Sequence, residues 1–184
     1  MTVSPDQVVY MDNNATTRIA PEVMDAMMPY LTELYGNPSS MHTFGGQVGQ
    51  AVSQARQEVA DLLGASPDEI VFTSCGTESD STAILSAIQT YPEKNHVVTT
   101  RVEHPAVKNL CDNLEIFTGR KYHSTRLHVE ADGTLDLQRF KDSLTDETAI
   151  VSVMWANNET GVIFPVEEMA QIAKERGILF HTDA

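Results

Sequence analysis

Strand signatures that run repeatedly into helix signatures constrain this chain more than any other feature of it. Ile70–Phe72 is β-branched and aromatic, and leads through the polar stretch Ser74–Glu78 into Ala83, Ile84, Ala87 and Ile88 at helical spacing. His96–Thr100 reads as a second strand, with a helix expected from Pro105 to about Leu114. Ala149–Trp155 is the most apolar strand, as burial on both faces requires. Pro165 opens a helix through Ala173, Gly177 stops it, and Ile178–Phe180 begins a last strand. Parallel neighbours cannot be joined by a hairpin and need a crossover, usually a helix. The expected fold is therefore α/β, a mainly parallel sheet with helices on both faces.

Three further helices fill out the pattern. Pro21–Leu34 is helical, with Pro29 as a candidate kink. Val48, Val52, Ala55, Val59 and Leu62 form one apolar stripe that Gly64 ends. Leu137, Phe140 and Leu144 give a helical face after the turn at Asp132-Gly133. The last strand reaches Asp183 and the sequence stops at Ala184, where a parallel strand ordinarily runs on into a covering helix. The expectation is an N-terminal segment over 1–20 and an incomplete domain over 21–184 that continues beyond the chain end.

Charge narrows the function. Twelve Lys and Arg against 26 Asp and Glu give a formal net charge of −14, which disfavours nucleic acid and anionic membrane as main partners. A small anion can still bind, because backbone dipoles act locally. No apolar stretch approaches the roughly 20 residues that span a bilayer, and the start carries no basic region followed by an apolar run. The expected location is the cytoplasm, with Cys75 and Cys111 reduced. Two widely spaced thiols make no metal cluster, so no metal is expected.

In open α/β sheets, ligands collect beyond the carboxyl ends of the strands, and four places qualify. The turn TSCGTESD contains Gly76, which allows close backbone approach to an anion, and Thr77, which adds a hydroxyl. Glu78 and Asp80 would repel an anion and are expected to point away. His104 follows the second strand directly before Pro105. Asn157, Asn158 and Glu159 follow the strand ending at Trp155. Asp183 follows the last strand, where a carboxylate can hold a protonated ring nitrogen. Each has an ordinary structural alternative: a helix cap, a packed histidine, an Asn-rich turn ending in Gly161, and a second cap. Together they form an anion cup, an aromatic lid, an amide and a counter-charge.

The strings MDNNATT, GNPSSMH, VFTSCGTESDSTAI, VEHPAV, MWANNETG and FHTDA carry a resemblance over almost the whole chain, from Tyr10 to Ala184. The chain resembles the cysteine desulfurases, most closely the type serving nitrogen fixation, a branch of the class V aminotransferases. The resemblance implies the large domain of the pyridoxal 5'-phosphate (PLP) enzymes of fold type I, here only its N-terminal portion. It implies that Gly76 and Thr77 hold the cofactor phosphate and that His104 stacks on the pyridine ring and helps move protons. It also implies that Asn158 hydrogen-bonds the ring's phenolic oxygen and that Asp183 keeps the ring nitrogen protonated. The implied reaction removes sulfur from L-cysteine, giving L-alanine and an enzyme persulfide. The sulfur feeds iron–sulfur cluster assembly on a scaffold protein, and the enzyme is usually a homodimer.

The family's Schiff-base lysine, persulfide-forming cysteine and carboxylate-binding arginine lie in sequence after the position of Asp183. Lys94, Lys108, Lys121, Lys141 and Lys174 do not match that lysine. Cys75 sits in the phosphate turn rather than on the family's mobile thiol loop, so it is not expected to accept sulfur, and Cys111 is expected to pack. By itself the chain is expected to be inactive. The alternatives are a non-catalytic fragment or split subunit, or another enzyme of the same fold such as a selenocysteine lyase or an aminotransferase.

Overall fold

A computed structural model describes residue 4 and residues 8–184. The chain divides into two compact units, Met1–Phe72 and Thr73–Ala184.

The first unit carries two helices, α1 (Pro21–Thr32) and α2 (Thr43–Leu63). In α1, Pro29 lies inside the helix and no residue is buried. α2 begins where His42 Nδ1 accepts the Gly45 amide, and ends at Gly64, whose φ of 66° suits a residue without a side chain. Ile70–Phe72, expected as a strand, is not one. Ile70 is extended, but among the described residues no strand pairs with this segment, and Val71 and Phe72 are exposed. The Arg56 guanidinium donates to the Ile70 carbonyl and lies 4.7 Å from the centre of the Phe72 ring. A side chain thus takes a carbonyl that a ladder would need, and β-propensity without a partner strand yields no sheet.

The second unit contains β1 (His96–Thr100), β2 (His123–Leu127), β3 (Thr148–Ser152) and β4 (Leu179–His181). They lie in the order β2-β1-β3-β4, and every neighbouring pair is parallel. The helices are α3 (Gly76–Thr90), α4 (Pro105–Asp112), α5 (Leu114–Thr118), α6 (Leu137–Ser143) and α7 (Val166–Glu175). The expected α/β sheet with helices on both faces is what forms. Side chains alternate along each strand. Val97 and Ile150 therefore pack with Ile84 and Ile88 of α3 and Val107, Leu110 and Cys111 of α4 on one face. Val98 and Val151 pack with Phe140 of α6 and Met169 and Ala173 of α7 on the other.

Phe140 is fully buried in that second cluster. Phe140→Ala removes a whole ring from a close-packed layer, and an unfolding free energy lower by about 3–5 kcal/mol is expected. Urea titration of the variant beside the parent, read as a shift in midpoint, measures it.

Candidate functional site

From β1 the chain crosses to β2 on one side, then returns to β3 and β4 on the other. The direction of travel across the sheet reverses between β1 and β3, and open parallel sheets bind ligands outside the carboxyl ends at such a reversal. Arg101–His104 leaves β1 there, Val153–Asn158 leaves β3, and Thr182–Asp183 leaves β4.

The turn before α3 is built around Cys75, the N-cap residue. Glu78 N and Ser79 N both donate to the Cys75 carbonyl, at 3.1 Å each. The amides of Gly76 and Thr77 belong to the first turn, where no carbonyl of the helix itself can reach them. A Cβ added at Gly76 would meet no atom within 4 Å, so the approach to this turn is open. The Glu78 carboxylate accepts from the Ser74 amide at 2.7 Å and the Ser74 hydroxyl at 2.6 Å, and these bonds hold it below the usual carboxylate range. Asp80 turns into the interior and is 4% exposed. The Cys75 thiol is exposed, and the Glu78 amide and Ser74 hydroxyl hold it below its ordinary value. Cys111 is packed in the core as expected, and burial pushes its thiol up to about 12.

His104 is the N-cap residue of α4, and its Nδ1 accepts the Ala106 amide at 3.2 Å. That bond assigns the proton to Nε2 and leaves the ring exposed. His104 and Thr77 line one cavity of about 480 Å³ between α3 and α4, together with Ser81, Asn109 and Phe117. The Asp183 carboxylate accepts no hydrogen bond from the described residues, while the Asp183 carbonyl takes the Trp155 amide at 2.9 Å. Asp80 is pushed up from the usual range by burial and by the Asp183 charge, and eased by His104. Thr77, His104 and Asp183 are thus brought to one end of the sheet.

Asn158 is not drawn in with them. It is exposed, and its amide donates to Glu159 at 3.1 Å. The neighbouring Asn157 does the local structural work. Its Oδ1 accepts the amides of Glu159 and Thr160 and the Thr160 hydroxyl, and its Nδ2 donates to the Val102 carbonyl at 3.0 Å. The β3 loop is thereby tied to the segment that carries His104.

Sequence reasoning missed Glu103. It is 6% exposed, and both its oxygens accept the Met154 amide at 3.1 Å, while Oε1 also accepts the Thr100 hydroxyl at 2.6 Å. Burial pushes its carboxyl up to about 7, with Asp183 and Asp80 adding to the shift. Its adjacency to His104 was the available signal.

The chemistry of these donors fits pyridoxal phosphate. Two amides at a helix start and the Thr77 hydroxyl suit a dianion, and a free carboxylate suits a protonated ring nitrogen. Among the described residues, no group of three or more His, Cys, Asp or Glu is arranged to hold a metal. No helix among them is long and apolar enough to cross a membrane.

Residues 9–184 match the family model described as Aminotransferase class-V. The chain is 59% identical over 177 residues to the protein named cysteine desulfurase NifS from Azotobacter vinelandii, covering 96% of this chain and 43% of that one. A solved NifS-like protein superposes with a TM-score of 0.89 at 37% identity, over 96% of this chain and 48% of its own. A second solved structure, described as SspA in complex with cysteine, gives 0.86 at 35% identity, over 94% and 49%. The chain spans less than half the length of the curated relatives it matches.

Proposed function

Since this chain belongs to the class-V aminotransferase family, with relatives named as cysteine desulfurases, we propose that it serves PLP-dependent removal of sulfur from L-cysteine. The observation that carries this reading is the shared cavity of Thr77 and His104 at the sheet end where Asp183 also lies. When bound, the cofactor ring acts as an electron sink for negative charge at the substrate Cα.

This chain's residues do the rest of what is assigned to it. The Gly76 and Thr77 amides and the Thr77 hydroxyl bind the phosphate, assisted by the positive end of the α3 dipole. Asp183 holds the proton on the ring nitrogen through a charge-assisted hydrogen bond. His104, its Nδ1 already occupied by Ala106, presents the ring face for stacking and an Nε2–H that can deliver a proton to the substrate. Asn158 is assigned to the ring's phenolic oxygen, which requires its amide to leave Glu159. In the net reaction the C–S bond of cysteine breaks, an S–S bond forms at an acceptor thiolate, and alanine leaves. The Schiff-base lysine and the acceptor thiol are assigned to sequence beyond these 184 residues. Homodimerisation, a cytoplasmic location, and delivery of sulfur to an iron–sulfur scaffold, with nitrogen fixation as the setting, complete the proposal.

The test uses a polypeptide extended to the length of its relatives. Cysteine should yield equimolar alanine and protein-bound persulfide. A keto acid formed without sulfur release would make it an aminotransferase, and failure to bind the cofactor would end the reading. His104→Gln should shift the cofactor absorbance and slow proton transfer by about 10²–10⁴-fold. Unchanged stopped-flow kinetics would return His104 to a helix cap.

A further inference from the structure

Asp80, Ser152 and His181 come from three different elements, and the half-buried His181 ring lies between the buried Asp80 and Ser152 side chains. Asp80 projects from α3, one turn after Gly76, and its Oδ1 lies 3.5 Å from Nε2 of His181 on β4. Nδ1 of the same imidazole is 2.9 Å from the Ser152 hydroxyl on β3. Asp80 is 4% exposed and Ser152 fully buried. The Asp80 carboxylate lies within electrostatic reach of Nε2, which suits the tautomer that carries its proton on Nε2 and turns the Nδ1 lone pair toward the Ser152 hydroxyl. Burial holds His181 below the ordinary imidazole value and so favours this neutral form.

The two ends of this line are functionally separate. α3 begins at the turn of Gly76 and Thr77, whereas His181 is two residues before Asp183. Backbone bonds connect β4 to β3, since Val153 N donates to the His181 carbonyl at 3.1 Å and Trp155 N to the Asp183 carbonyl at 2.9 Å. No backbone ladder connects a helix to a sheet. α3 is held to this face by apolar packing and, among the described residues, by this polar line to β3 and β4.

We propose that Asp80, His181 and Ser152 are positioning residues, a relay that locks the α3 turn to the β3–β4 ends and so sets the span between the phosphate-holding amides and the Asp183 carboxylate. The use of that span rests on the proposed function. The mechanical coupling does not.

Amide hydrogen exchange on the 184-residue chain without cofactor tests the coupling, read at Ser79 in the first turn of α3 and at Trp155, whose amide reports the Asp183 carbonyl. Asp80→Leu, similar in size but unable to accept, should speed exchange about tenfold at both amides. Asp80→Asn keeps an acceptor and should restore protection at both. Ser152→Ala, the milder cut in case Asp80→Leu unfolds, should speed both from the other end of the line. Faster exchange confined to the substituted residue's own element overturns the relay. Cofactor titration of the extended polypeptide is read separately. A parent that binds pyridoxal phosphate with an affinity about tenfold above that of Ser152→Ala supports the positioning role. Equal affinities overturn that role. A parent that binds none overturns the proposed function, while coupled exchange would still stand.

Discussion

Asp183→Ala should lower cysteine turnover about 10²–10³-fold, the range for removing one fixed group that meets charge developing in a transition state, while shifting the melting temperature by only about 2–4 °C. The asymmetry follows from what the side chain does without a ligand. Its carboxylate accepts no hydrogen bond from the described residues, and it is the backbone carbonyl of Asp183 that takes the Trp155 amide. That bond survives any side-chain change. Little folding energy therefore rests on the carboxylate, and its proposed worth appears only when a ring nitrogen needs a counter-charge. Asp183→Asn removes the charge and keeps the shape, so it should fall close to Asp183→Ala in turnover. Steady-state alanine formation and thermal unfolding on the same samples are the measurements. Near-normal turnover in either variant would remove Asp183 from the site.

Elements that are apolar and buried on both faces were legible in the sequence. β1 occupies the expected His96–Thr100, and β3, Thr148–Ser152, overlaps the expected Ala149–Trp155 but starts one residue earlier. β2 was not foreseen, because its sequence His-Ser-Thr-Arg-Leu is polar and only its last residue is buried at the sheet edge. The opposite failure is Ile70–Phe72, whose composition is that of a strand while its carbonyl is taken by Arg56. The helix expected from Pro105 to about Leu114 is broken at Asn113, which caps one helix and starts the next. Composition cannot see such a cap swap.

The site was legible where it depends on position along the chain and illegible where it depends on burial. His104 and Asp183 were named by the strand-end rule and do follow β1 and β4, whereas Gly76 and Thr77 were named by the same rule after Ile70–Phe72, which forms no strand, and sit instead at the start of α3. Asp80 was expected to point away from the anion turn, and it does turn inward, but its meeting with His181 and Ser152 joins residues 72 and 101 positions apart in sequence and no local pattern signals it. Asn157 and Asn158 are identical in type, and only the fold makes one a buried brace and the other an exposed amide.

Glu103 carries the other large effect, on stability. Glu103→Ala strips the Met154 amide and the Thr100 hydroxyl of their acceptor in the interior, and a loss of about 2–3 kcal/mol is expected for orphaned buried donors. Glu103→Gln keeps a carbonyl oxygen for both donors and removes the charge, so its effect depends on pH. The folded carboxyl is raised to about 7 from an ordinary value of 4.5. A group raised on folding contributes stability that is fully present below the unfolded value and is lost as pH rises through the folded one. For Glu103 the loss therefore runs from about pH 4.5 to about 7 and amounts to on the order of 3 kcal/mol. His96 and His181, both depressed by burial, slope the other way, their contribution lost as pH falls below the ordinary imidazole value of 6.5. The parent profile mixes the two, but the difference between parent and Glu103→Gln isolates the carboxyl. Urea unfolding at pH 5 and pH 8 should show the variant gaining on the parent as pH rises. A difference independent of pH would mean that Glu103 is ionised throughout, with the Met154 amide and Thr100 hydroxyl outweighing the cost of its burial.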